Sequence, residues 1–204
     1  NTLTKFENTK VLDQFNYLSP ISSLFFLIFS SSSSSSWLND DDDLWGSMSK
    51  EQLLIRDNYI VNYNKQTRIA NWVLERLEKN EYVLNTQQSR EHCKFQEDYD
   101  IQQKFRARLD DYRNSGFDRG HLSASANHRA FFQGGSQRAM SQSFLLTNIS
   151  PQVGVGFNRH YWARLEKFCR TLVDNSQFDQ VYVLTGPLFL PTLIDNSPIS
   201  DDHH

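Results

Sequence analysis

Apolar and polar positions change their rhythm several times along this chain, and each change predicts an element. Tyr59-Ile60-Val61 and Ile69-Ala70-Asn71-Trp72-Val73-Leu74 are apolar, β-branched runs separated by the polar stretch Asn62 to Arg68, the pattern of a β-hairpin. Glu75-Arg76-Leu77 prolongs the second run, although Trp72 to Leu77 also fits a helix. Residues 91–115 are polar and weakly periodic, which predicts loop with short helical pieces anchored by Phe105 and Tyr112. Ser143-Phe144-Leu145-Leu146-Thr147 and Gln180-Val181-Tyr182-Val183-Leu184-Thr185 read as buried strands, closed by Pro151 and by Gly186-Pro187. Between them Tyr161, Leu165, Phe168 and Leu172 recur at the spacing of a helical stripe. Asn158, Trp162, Glu166 and Arg170 then step along an adjacent face, so an amide, a carboxylate and a guanidinium share one column, unless Asn158 merely caps the helix.

The first 48 residues do not follow this grammar. Leu24 to Phe29 is a short apolar run, preceded by Lys5 and Lys10 and followed by the tracts Ser30 to Ser36 and Asp40 to Asp43. Such a run suits a signal-like segment or an anchor and is too short to span a bilayer as a helix, and the tracts lack the apolar payload to order. Residues 1–48 are therefore expected to be a disordered or targeting-like segment, with one folded domain over residues 49–204. The sequence starts without Met and stops soon after a predicted strand, the expectation for a fragment.

Composition adds bounds. With 204 residues, 38% hydrophobic and 22% charged, the chain has room for one core and is no polytopic membrane protein. Cys93 and Cys169 allow one disulfide at most. The net charge of −3 hides an asymmetry, because residues 101–172 carry 11 Lys/Arg against 4 Asp/Glu. A basic middle in an acidic chain is what a polyanion would dock against.

Gly116-Phe117-Asp118-Arg119-Gly120-His121-Leu122 gives that basic region a chemistry. Arg119 and His121 stand on the same side of an extended segment; an Arg fork neutralises phosphate oxygens, and a His accepts a proton near neutral pH. The segment keeps company with Thr147-Asn148-Ile149-Ser150-Pro151-Gln152, Phe157-Asn158 and Trp162-Ala163-Arg164-Leu165-Glu166. Together these motifs resemble the DNA/RNA nonspecific endonuclease family of the ββα-metal fold, and within it the mitochondrial endonuclease G and exo/endonuclease G group. Further likeness runs through Tyr59 to Leu77, His92-Cys93-Lys94-Phe95 and Gly186-Pro187-Leu188-Phe189-Leu190-Pro191, covering about residues 56–191.

The resemblance implies an α+β fold with a mixed or antiparallel central sheet and helices. It implies His121 as general base, Asn158 as the protein ligand of one Mg²⁺ (with Mn²⁺ as a substitute), and Glu166 as a carboxylate acting on the ion through water. Arg119 and Arg170 fall around the scissile phosphate, Asn148 is a supporting residue, and Asp118 an acceptor that orders the motif. DNA and RNA as substrates, a homodimer and a mitochondrial address follow from the same resemblance. An inactive nucleic-acid-binding module and a secreted scavenging nuclease are the alternatives. A zinc site from His92, Cys93, His121, His128 and Cys169 matches no finger or ribbon spacing. Phe131, Phe132 and Trp162 read as packing residues rather than base-stacking ones. Three departures from the family pattern stand out: an insertion at Ala130 to Gly135, a separation of 10 between Asn148 and Asn158 that is one residue longer than in some relatives, and the expected lack of the sheet strands that the family places beyond Leu188.

Overall fold

The computed structural model describes residues 24–31, 53–78, 89–129, 135–175 and 178–187. Its strands are β1 (Leu24–Ser31), β2 (Leu53–Ile55), β3 (Tyr59–Asn64), β4 (Ile69–Glu78), β5 (Asp118–His121), β6 (Ile149–Gln152) and β7 (Gln180–Pro187). Five of them form an antiparallel sheet in the order β1-β7-β4-β3-β2, and β5 and β6 form a separate antiparallel pair. The helices are α1 (Leu109–Tyr112), α2 (Gln137–Gln142) and α3 (Ala163–Asp174). The α+β class and antiparallel sheet match the sequence reading. Residues 130–134, which include Phe131 and Phe132 and most of the insertion, lie outside the described residues, as do the Asp40–Asp43 block and everything beyond Pro187.

The β3–β4 hairpin forms where the pattern predicts. Asn64 Oδ1 accepts from the backbone N–H groups of Gln66 (2.9 Å) and Thr67 (3.2 Å), and Arg68, at φ 58°, closes the turn by donating to Asn64 O at 2.8 Å. Trp72 to Leu77 is strand, not helix, and continues β4 to Glu78. Tyr59, Val61, Tyr63, Ala70 and Val73 bury one core with Ile101 and Leu122, and Leu77, Val181 and Val183 bury a second beneath α3. Residues 91–115 are loop with short helical pieces, held as expected by Tyr112, whose hydroxyl donates to Ile149 O at 3.2 Å, and by half-buried Phe105.

Three sequence expectations change. Ser143 to Thr147 is not a strand: Ser143 ends α2, and Leu146–Asn148 make a 3₁₀ turn before β6 begins. Phe144 and Leu146 are buried as predicted, but the backbone bends so that the Asn148 amide can receive and satisfy its surroundings. The helical stripe holds only in part: Leu172 is buried as predicted, but Tyr161 and Phe168 are exposed, and Trp162, Cys169 and Val173 face the core instead. The apolar run that begins at Leu24, read as signal-like, is β1 at the sheet edge, in register from Leu24 opposite Pro187 to Ser31 opposite Gln180.

Candidate active site

β5 and β6 set the site. Their register places Asp118 opposite Gln152, Arg119 opposite Pro151 and His121 opposite Ile149. Gly120 is closely packed: a Cβ there would lie 2.0 Å from the buried Gln152 side chain, so any larger residue would have to displace that side chain between Arg119 and His121. Asn148, fully buried, secures the end of this pair. Its Oδ1 accepts from the Ser123 N–H at 2.9 Å, and its Nδ2 donates to Ser123 O (2.9 Å) and Ser143 O (2.8 Å). It therefore braces the loop after His121 and does not reach the groove.

Arg119 and His121 meet on one ring. The Arg119 guanidinium carbon lies 4.5 Å from the Phe95 centroid, and the His121 imidazole centroid 5.4 Å from it. His121 also packs edge-on against Phe144 at 4.7 Å, and the Trp162 indole N–H donates to His121 O at 3.1 Å. His121 Nε2 is buried and makes no hydrogen bond to protein. Burial, with Arg90 and His128 nearby, pulls the imidazole down to about 3, so it is neutral at pH 7.

Asn158 lies in the π-helical segment Gly154–Trp162, which is broken at Val155 and at Gly156, whose φ is 88°. The break turns Asn158 toward β5 instead of capping α3. Its Nδ2 donates to Asp118 Oδ2 at 3.0 Å, and Arg159 grips the same carboxylate with Nε (2.8 Å) and a terminal nitrogen (2.7 Å). The hydrogen bonds from Arg159 and then Asn158 hold the Asp118 carboxyl below its ordinary value. Asp118 is thus an acceptor that orders the motif. Because it takes the Asn158 amide N–H, Asn158 Oδ1 is the atom left to meet a ligand.

An open groove of about 510 Å³ gathers Arg90, Arg113, Arg119, Asp118 and Asn158 with Phe95, Leu109, Tyr112 and Phe117. Arg90 is the functional candidate that the sequence reading missed. It comes from a 3₁₀ turn, Arg90–His92, lies 5.7 Å from the Phe144 ring and adds to the field on His121. Being basic within the stretch next to His92-Cys93-Lys94-Phe95 was the only signal available.

Glu166 and Arg170 are not presented beside Asn158 on a free face. Glu166 lines a water-sized cavity of about 10 Å³ with Glu75, Asn127, Trp162 and Cys169, and Arg170 donates to Asn127 Oδ1 at 2.8 Å. Burial raises both Glu75 and Glu166 to about 7. Cys93 and Cys169 are free thiols in different surroundings, Cys93 against Gln137 and Ser141 and Cys169 in the core under α3. Among the described residues no three His, Cys, Asp or Glu side chains gather to hold a metal. For a hard ion such as Mg²⁺, which keeps most of its waters, the groove offers the amide oxygen of Asn158 beside the Asp118 carboxylate.

A strand pair carrying Asp118-Arg119-Gly120-His121, an amide held over it and a helix packed on the sheet are the elements of the ββα-metal fold. The chain belongs to the DNA/RNA non-specific endonuclease family, whose model matches residues 46–202. It is 49% identical over 139 residues to Nuclease C1 of Cunninghamella echinulata var. echinulata, an alignment covering 68% of this chain and 52% of that protein. Against human mitochondrial Endonuclease G it is 46% identical over 140 residues, covering 69% of this chain and 44% of that one. A chain of the crystal structure of the EndoG/EndoGI complex superposes with a TM-score of 0.62 at 38% identity, covering 71% of this chain and 56% of that one. The chain thus spans about half the length of the relatives it matches.

Proposed function

We propose that this chain carries the catalytic centre of a Mg²⁺-dependent nuclease that hydrolyses phosphodiester bonds of DNA and RNA with little regard for sequence. The observation that supports it most is the stacking of Arg119 on Phe95 in the groove that Asn158 also lines, with His121 packed against the same ring behind it. Arg119 and Arg90 bind non-bridging phosphate oxygens; such contacts position a backbone and carry no base information. His121, neutral and with an unpartnered Nε2, takes the proton from the attacking water as that oxygen bonds to phosphorus and the P–O3′ bond breaks. When bound at Asn158, Mg²⁺ supplies electrostatic stabilisation of the charge that builds on the phosphoryl and departing oxygens. Glu166 and Arg170 close the inner wall behind the site, and Asn148 braces the His121 loop.

A mitochondrial address and a homodimeric assembly belong to the same proposal, the first supported by the human relative's name. Digestion of supercoiled plasmid and of RNA with Mg²⁺ or EDTA tests the activity. Cleavage of both with Mg²⁺, abolished by EDTA and by His121→Ala, is expected; cleavage that survives both would overturn it.

A further inference from the structure

Of the three aromatic rings that line the groove, two are committed and one is not. Phe95 carries the Arg119 guanidinium and packs on His121, and Tyr112 is tied through its hydroxyl to Ile149 O at 3.2 Å. Phe117 is 44% exposed, and among the described residues no aromatic ring or cation stacks on it. A single exposed apolar side chain is ordinary on a protein surface, so exposure alone decides nothing. What singles out Phe117 is its company and its support. It lines the groove with Arg119, Asn158 and the part-exposed Leu109. Its N–H donates to Ser115 Oγ at 3.2 Å, and the Ser115 hydroxyl donates to Tyr112 O at 3.0 Å, across a turn that takes left-handed backbone at Asn114 (φ 56°) and Gly116 (φ 82°). Phe117 immediately precedes β5 and stands two residues before Arg119. Two residues of extended chain advance at most about 7 Å, the span of one nucleotide from phosphate to base.

Every nucleobase has a π-face, so a ring with a free face beside a phosphate-binding arginine holds a base without reading which base it is. In a paired duplex those faces are covered by the neighbouring bases; in a single strand, a loop or a bulge they are open. We infer that Phe117 is the base-stacking residue of this groove: it takes the base next to the phosphate that Arg119 binds, and the strand it takes is an unpaired one, DNA or RNA. This rests on the nuclease reading and gives it a substrate class, single-stranded or locally unpaired nucleic acid.

Binding by the full His121→Ala chain in EDTA, where no strand is cut, tests it. The probes are a short thymidine oligonucleotide, the same strand built wholly of abasic nucleotides, and a paired duplex, each followed by anisotropy. Adding Phe117→Ala should weaken binding of the thymidine strand about 10-fold, and of the abasic strand and the duplex less than about twofold. The salt slope should not change, because no phosphate contact is lost. Phe117→Trp should bind the thymidine strand at least as tightly as the parent, and Phe117→Leu should lose most of the tenfold, since a flat π-face rather than apolar area is what the base meets. Equal losses on the thymidine and abasic strands, or full retention by Phe117→Leu, would overturn the inference, while Mg²⁺-dependent cleavage by the wild-type chain would still uphold the nuclease reading. Absence of that cleavage would remove the nuclease reading, and this inference with it.

Discussion

Asn158 gives its amide N–H to Asp118 at 3.0 Å, and that single hydrogen bond decides which end of the amide faces the groove. A carboxylate offers no donor, so the amide has one stable orientation against it. Asp118→Ala would release Asn158 to rotate. The Mg²⁺ concentration for half-maximal cleavage should then rise about 10- to 100-fold, as when other groups that orient metal ligands are removed. Binding of duplex DNA in EDTA should not weaken. A metal titration of plasmid nicking checks the first and a filter-binding titration the second.

The groove arginines predict a salt response. With Arg90, Arg113 and Arg119 on phosphates, metal-free His121→Ala protein should bind duplex DNA with a log–log salt slope of about −3, and Arg119→Ala should reduce it by about 1. Affinity measured by anisotropy between ~50 and ~200 mM salt reads it. A flat response would show that the basic surface does not bind the backbone.

Stability should depend on pH through opposed buried groups. His121 and His128 are held by burial at about 3 and about 4, below 6.5, so their contribution is complete above pH 6.5 and lost as pH falls through those values. Glu75 and Glu166 are raised by burial from 4.5 to about 7, so theirs is complete below pH 4.5 and lost as pH rises through about 7. The two pairs nearly cancel between these limits. The urea midpoint of metal-free protein should be flat from about pH 4.5 to 6, fall on further acidification and decline gently past 7. A midpoint that climbs steadily through pH 4.5 to 7 would show that the glutamates are not buried as described.

The same physical limits decided what the sequence could reveal. The β3–β4 hairpin was legible because alternation and the Asn64 turn agree. Phe144 and Leu146 alternate like a strand, yet Leu146 opens the 3₁₀ turn Leu146–Asn148, which brings Leu146 and the first residue of β6, Ile149, both fully buried, into one cluster. The α3 face was displaced because Tyr161 and Phe168 have the same spacing as Trp162 and Cys169, one residue on, and only packing distinguishes the two pairs. Arg119, His121 and Asn158 stood out through their motifs. Arg90 did not, since what makes it matter is a partner more than 25 residues away in the chain, brought near by the fold.

The division of labour between His121 and Asn158 is tested most directly by changing the leaving group. On DNA both His121→Ala and Asn158→Ala should lose on the order of 10² or more in rate. On a nitrophenyl phosphodiester of deoxythymidine the departing oxygen needs little stabilisation. Asn158→Ala should there recover much of the wild-type rate, whereas His121→Ala stays defective because the attacking water still needs a base. Added imidazole should restore part of the His121→Ala rate. If both variants respond alike to the change of leaving group, the roles assigned to His121 and Asn158 are wrong.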